Sequence, residues 1–372
     1  MPAFSPEQDT ALAAVAGWLK AKPGQGQTPL IFRLFGYAGT GKTTLAKHIA
    51  EGVDGKVLFA AFTGKAAQVM RNKGCQSAST IHSLIYKTLE SGVEEPSFEL
   101  WDEAPASRAK LIVIDECSMV DAELGRDLKS FGVPLLVLGD PAQLPPIQGG
   151  GYFTEAQPDA MLTEVHRQAQ DDPIVRLSMQ IRAGNRLMPG SYGETQVVTR
   201  VALDPQRVLD AHQVLVGRNA TRRAYNTRLR ERRGFDDPLP VAGDKLVCLR
   251  NNRRKGLFNG GLWLIKERPR PRRQILRMHL KAEEGIGDRL VKVSVRPECF
   301  TGTIEALEWP LRKKYDEFDF GYVLTVHKAQ GSQWDDVVLF DESFAFPESR
   351  ERWLYTGVTR AAKRLMLVLP NS

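Results

Sequence analysis

Leu30-Ile31-Phe32-Arg33-Leu34-Phe35-Gly36-Tyr37-Ala38-Gly39-Thr40-Gly41-Lys42-Thr43-Thr44-Leu45-Ala46-Lys47-His48-Ile49-Ala50 is the stretch that decides the architecture. It opens on an apolar run that reads as a buried strand. It then passes through G-x-x-x-x-G-K-[ST] at positions 36–43 and continues as a helix, the context that makes this motif a phosphate loop. Glycines let backbone amides approach phosphate oxygens, and the helix N-terminus adds positive potential there. Gly39, Thr40, Gly41, Lys42, Thr43 and Thr44 are therefore expected to hold a nucleoside triphosphate, with Lys42 on the β- and γ-phosphates and the Thr43 hydroxyl on Mg²⁺.

Outward from this loop the pattern repeats. Lys56–Phe62 reads as a second buried strand, followed by a helix over Lys65–Asn72, and Leu111–Ile114 and Pro134–Leu138 are two more short apolar strands. Nearly all-apolar strands alternating with helices predict a parallel sheet covered on both faces, with ligands at the strands' carboxyl ends. Asp115-Glu116 follows one such strand. Asp115 is placed to hold Mg²⁺, and Glu116 to orient and deprotonate the attacking water. An amphipathic helix over 6–20 precedes the loop strand.

The second half holds a further α/β set, with strands at 213–216, 320–325, 337–340 and 365–369 and a helix over 220–232. No second phosphate loop accompanies it. Short strand-like runs at 246–249, 262–265, 274–280 and 290–295 predict a small β-rich insert. Residues 86–108 carry Phe98 and Trp101 among acidic side chains, and read equally as a protruding hairpin or a loose loop.

The chain has 372 residues and a net charge of +7, from 51 Lys plus Arg against 44 Asp plus Glu. That balance favours a polyanionic partner, and the excess crowds into 222–233, 253–255 and 266–273. No apolar run reaches bilayer length, the N-terminus lacks a signal-peptide pattern, and four scattered cysteines form no zinc spacing. A reducing cytoplasm is the expected compartment.

Gly139-Asp140-Pro141-Ala142-Gln143-Leu144-Pro145-Pro146, following a phosphate loop and an Asp-Glu pair, resembles the RecD/Dda-type helicases of superfamily 1B. The likeness runs in the family's order over nearly the whole chain. Gln8 resembles the glutamine that recognises adenine. Thr63-Gly64-Lys65 and Thr80-Ile81-His82 resemble segments that grip single-stranded DNA, which implicates Thr63, Lys65 and His82. Gln143 resembles a γ-phosphate sensor. Arg167, in Leu162–Gln168, and Arg360, in Tyr355–Ala361, resemble arginines that reach the γ-phosphate. Thr325 and His327, in Thr325–Ser332, resemble residues coupling DNA to ATP. Two positions depart from the family. Phe62 stands where proline is usual, and Gln333 where glutamate is expected near the ribose.

The resemblance implies two RecA-like parallel-sheet domains. The first spans 1–160 with a candidate pin insertion at 86–108 bearing Phe98. The second comprises 161–243 and 321–372 and is interrupted by an SH3-like insert at 244–320. It implies ATP and Mg²⁺ as cofactors, and single-stranded DNA and single/double-strand junctions as partners. It further implies 5′ to 3′ unwinding by a monomer in a bacterial or phage-infected cell, beside replication, recombination or repair proteins. An ATP-switched binding module and an RNA translocase stay open as alternatives.

Overall fold

The structure is a computed structural model that describes residues 4–88, 98–145, 151–165, 171–250, 252, 255–257, 259–267, 270–272, 274–283 and 290–370. Its first half runs through helix α1 (Pro6–Lys20), β1 (Ile31–Gly36), α2 (Lys42–Glu51), β2 (Val57–Ala61), α3 (Gly64–Asn72), β3 (Ser79–Thr80) and α4 (Ile81–Ile85). Then come β4 (Tyr86–Thr88), β5 (Phe98–Leu100), β6 (Leu111–Asp115), α5 (Ala122–Ser130), β7 (Leu135–Gly139) and β8 (Ala160–Leu162). Six of these strands form a parallel sheet in the order β3-β2-β6-β7-β1-β8.

Strand periodicity sorts the side chains between the two faces. Phe32, Leu34, Phe59, Val113, Leu136 and Leu138 meet α1, α2 and α3 on one face. Leu58, Ile112, Ile114, Leu135 and Val137 meet α4 and α5 on the other. Burial on both faces explains why the central strands are apolar at nearly every position. β4 and β5 pair antiparallel as a separate hairpin, so the 86–108 segment is a hairpin at its base. β8 straddles the expected boundary at 160 and closes the first sheet beside β1.

The second half forms another sheet from β9 (Gly190–Tyr192), β10 (Thr195–Thr199), β11 (Gln213–Val216), β18 (Val323–Thr325), β19 (Trp334–Phe340) and β20 (Ala361–Leu369), ordered β18-β11-β19-β20-β10-β9. All pairings are parallel except that of β9. Between its parts lies an antiparallel sheet of β12 (Lys245–Cys248), β13 (Leu262–Ile265), β14 (Arg270–Arg272), β15 (Ile275–Ala282), β16 (Leu290–Val295) and β17 (Phe318–Phe320). Its core is continuous with that of the second parallel sheet: Leu246, Trp263, Met278 and Val293 cluster with Val214, Val323 and Phe340. Buried Asp244 fastens the insert's first strand, accepting from Arg230 at 2.9 Å and from Tyr322 at 3.0 Å.

This packing revises the reading of basic charge. Arg222 and Arg230, two of the crowded arginines, are buried and paired with Asp319 and Asp244. They hold the insert against the helix Asn219–Arg232, so fewer of the crowded arginines face solvent. The N-terminus of that helix is itself filled from within. The buried Glu342 carboxylate accepts from Gly217 N at 2.8 Å, Arg218 N at 2.9 Å and Thr221 Oγ1 at 2.6 Å. Burial opposes its ionisation, but the donors of Thr221, Arg218 and Gly217 outweigh it and hold the carboxyl below its usual range.

Candidate active site

The phosphate loop joins β1 to α2 at the sheet's carboxyl edge. Gly39 and Gly41 take φ of 81° and 78°, the left-handed region where a Cβ is strained. Lys42 opens α2, and its ammonium donates to the carbonyls of Gly36 at 2.7 Å and Tyr37 at 2.9 Å. β6 ends two strands away and brings Asp115 alongside: Thr43 Oγ1 donates to Asp115 Oδ2 at 2.9 Å.

Glu116 leaves β6 at φ 53° and ψ 45°, a left-handed conformation for a non-glycine residue. Such strain concentrates where function holds a side chain in place. Burial raises its pKa; Arg360 and Lys42 pull it down, while Asp115 and Asp140 push it up, and the outcome is a carboxyl above its ordinary range. Arg360 comes from the second sheet, at the end of the helix Arg350–Val358. It is buried, with Nε donating to Thr356 O at 3.0 Å and Nη1 to Ser332 O at 3.2 Å.

These groups line a cavity of 430 Å³ between the two parallel-sheet units, together with Gly39, Gly41, Thr44, Gln143 and Gln333. Gln143 is buried, and its Oε1 has no hydrogen-bond partner among the described residues. A buried acceptor left over in a cleft is an open position for a donor such as water. Two expected nucleotide residues stand behind the lining. Thr40 is buried and donates from Oγ1 to Tyr37 O at 2.9 Å. Gln8 accepts from Ser5 N at 3.1 Å in a capping box and donates to Thr40 O at 3.0 Å, so its amide props the loop. Arg167 lies outside the described residues, but the segment leading to it is tied to α1, because Glu7 accepts from Thr163 N and Glu164 N at 2.8 Å.

The expected DNA residues lie along the same carboxyl edges. Thr63 caps α3, accepting from Ala66 N at 3.1 Å, and lies across the cleft from Gly331. Lys65 sits 4.2 Å over the ring of buried Trp334, a cation–π contact between the two units. His82 stands between two aromatics, 6.0 Å from the Phe62 ring and 5.7 Å from that of Tyr86. The phenylalanine that replaces proline at 62 thus extends an aromatic row. Phe98 pairs with Thr88 at the hairpin, and its side chain lies outside the described residues. Thr325 ends β18 and is buried, and His327 is half-buried with its ring 5.1 Å from Phe346. Burial lowers the His327 pKa.

Sequence reasoning missed the residues that join the units across the cleft. Tyr355 Oη is 2.8 Å from Ala38 N and donates to Asp140 Oδ2 at 2.7 Å. Thr356 Oγ1 accepts from Leu144 N at 2.9 Å, and Gln330 Nε2 donates to Leu144 O at 2.8 Å. Arg182 stacks 3.1 Å from the centre of the Tyr37 ring. Asp140 and Tyr355 both lie inside recognisable motifs, but their meeting depends on how two distant segments pack.

Comparison with known proteins places this cleft in context. An AAA-domain family model matches residues 21–201, and a model of the UvrD-like helicase C-terminal domain matches residues 320–368. The chain is 28% identical over 366 residues to the ATP-dependent RecD2 DNA helicase of Deinococcus radiodurans, covering 89% of this chain and 46% of that one. It is 30% identical over 164 residues to the ATP-dependent DNA helicase dda of Enterobacteria phage T4, covering 40% of this chain and 37% of that one. The chain therefore spans less than half the length of these curated relatives. A solved Pif1 helicase from Bacteroides, in complex with ADP-AlF3 and ssDNA, superposes with a TM-score of 0.57 at 16% identity, covering 99% of this chain and 92% of that one; it shares the fold.

Proposed function

We propose that this chain, a member of the RecD/Dda-type group of superfamily 1B, is an ATP hydrolase that couples turnover to movement along single-stranded DNA and to duplex unwinding. One observation carries the reading: Lys42, Thr43, Asp115 and Glu116 of one unit face Gln333 and Arg360 of the other across a single cavity. A cleft built from both units changes shape when they move, so hydrolysis and domain motion are linked.

The roles follow from chemistry. Lys42 and the amides from Gly39 to Thr44 take the phosphates. A hydroxyl 2.9 Å from a carboxylate suits Mg²⁺, so Thr43 and Asp115 would hold that ion, which supplies charge neutralisation between phosphates when bound. Glu116 accepts the proton of the attacking water, and the unpartnered Gln143 amide oxygen helps orient that water. Arg360 offsets charge developing on the γ-phosphoryl. Gln333 reaches the ribose, and Gln8, whose amide also props the loop at Thr40 O, recognises the adenine. Arg167 is assigned to the γ-phosphate on resemblance alone. Thr63, Lys65, His82, Thr325 and His327 contact the strand, whose path crosses both units, and Phe98 is the pin at the junction. Polarity is 5′ to 3′, the cofactors are ATP and Mg²⁺, and the motor acts as a monomer.

The test is Mg²⁺-dependent ATPase activity with no nucleic acid, single-stranded DNA, duplex DNA and single-stranded RNA. Stimulation by single-stranded DNA alone supports the motor and leads to unwinding assays on 5′ and 3′ tails. Equal rates in all four would favour a nucleotide-switched binding module. Stimulation by RNA would move the substrate class.

A further inference from the structure

We propose that Tyr355 is a positioning residue for hydrolysis, latching the second unit to the phosphate loop so that Arg360 stands opposite Glu116. The inference rests on the ATPase reading above.

A single hydroxyl from the second unit meets two loops of the first. Tyr355 Oη accepts from the Ala38 amide at 2.8 Å, on the shoulder of the phosphate loop. It donates to Asp140 Oδ2 at 2.7 Å. The other oxygen of Asp140 accepts from Ala142 N at 3.0 Å, and Asp140 O accepts from Gln143 N at 3.1 Å, so Asp140 shapes the loop that carries Gln143. Tyr355 itself belongs to the helix Arg350–Val358, which leads directly into Arg360.

Arg360 is rigidly tied to that helix. Its Nε donates to Thr356 O at 3.0 Å and its Nη2 to Thr359 Oγ1 at 3.2 Å. Thr356 in turn accepts from Leu144 N, and Gln330 donates to Leu144 O, so the backbone beyond Gln143 is gripped from both sides by the second unit. The helix, its arginine and the Gln143 loop therefore dock as one piece, and the Tyr355 hydroxyl is where that piece touches the phosphate loop. The ring is 1% exposed, which fixes the hydroxyl's position by packing. Burial and the neighbouring Asp140 carboxylate push the phenol's pKa up, so its proton stays available for donation. Ala38 and Asp140 line the cavity and Tyr355 does not, so Tyr355 acts through them and through Arg360 and Gln143.

The experiment compares Tyr355→Phe, Asp140→Asn and the double variant with the wild-type chain, measuring kcat and KM for ATP with and without saturating single-stranded DNA. Phenylalanine preserves the buried ring and removes the hydroxyl. Asparagine leaves one oxygen where two acceptors were in use. Each single variant is expected to lower kcat about tenfold, the scale for a hydrogen bond to a charged partner, with KM within about twofold. Stimulation by DNA should shrink alongside kcat. The double variant should resemble the singles, because both remove the same contact. A thermal melt separates the structural alternative, in which Tyr355→Phe melts earlier yet keeps kcat and DNA stimulation per folded molecule. That result overturns the proposal, as does a double variant whose losses multiply. Should Tyr355→Phe not fold, Tyr355→Met, which also lacks the hydroxyl, supplies the split between kcat and KM, because Asp140 also acts on Glu116 directly. A wild-type chain with no ATPase activity would instead sink the functional reading.

Discussion

Replacing Glu116 by glycine should make the protein more stable and catalytically dead. Glu116 sits at φ 53° and ψ 45°, where a Cβ crowds the following carbonyl. The comparison that isolates this strain is with Glu116→Gln, which removes the same charge but keeps the Cβ. A non-glycine residue at positive φ is less stable than glycine by about 1 kcal/mol, even after glycine's larger entropy loss on folding is counted. For a unit of this size that corresponds to a rise of about 2–4 °C in melting temperature for Glu116→Gly over Glu116→Gln. The assay is differential scanning calorimetry of both variants in one buffer without nucleotide, alongside steady-state ATPase. Both variants should lose about 10²–10⁴-fold in kcat, the range of a positioned general base. A glycine variant that melts at or below the glutamine variant refutes the strain argument. Retained turnover in either one removes Glu116 as the base, whatever the melts show.

Three further outcomes follow. Arg360→Ala should lower kcat by about 10³-fold while KM for ATP moves only a few-fold, since the guanidinium serves developing charge more than ground-state binding; equal losses in both, by steady-state kinetics, would contradict this. Phe98→Ala should abolish strand separation on a forked substrate while DNA-stimulated ATPase survives, and intact unwinding would remove Phe98 as the pin. His327 has a pKa lowered from 6.5 by burial, so the unfolded chain binds the extra proton first as pH falls. Its neutral form is fully compatible with the fold above pH 6.5, and stability is lost as pH drops below that value. Urea melts at pH 7.5 and 5.5 should therefore show the wild-type chain losing more stability than His327→Gln, and parallel losses would refute the assignment.

The parts of this site visible in the sequence are those encoded over a few residues. An apolar strand, a glycine loop and a helix are contiguous, so positions 30–50 announce themselves, and Asp115-Glu116 do so at the end of a second apolar strand. The sheet order is not local: β8 reaches β1 through three paired positions, from Leu34↔Ala160 to Gly36↔Leu162, across more than a hundred residues. β10 has the alternating burial of a strand with one covered face, too short a signal to stand out beside longer apolar runs. Resemblance points to the Gln8 amide for adenine, while its bond to the Thr40 carbonyl, made beside the capping bond to Ser5 N, joins segments far apart in sequence and is seen only in the fold. The bond from Tyr355 to Ala38 spans 317 positions and depends on two units closing face to face. Charge counting likewise could not separate Arg222 and Arg230, spent inside the protein, from the arginines left outside.

Glu342 bears on how much fuel each chain can carry. Two similarly built parallel sheets sit side by side, and each has a helix starting near its carboxyl edge. Only one of those helix starts is available to an outside anion, because in the other a resident carboxylate already satisfies the amides of Gly217 and Arg218. The second unit thereby supplies its own anion at that helix start. Calorimetric titration should accordingly count one nucleotide per polypeptide, held between unequal halves.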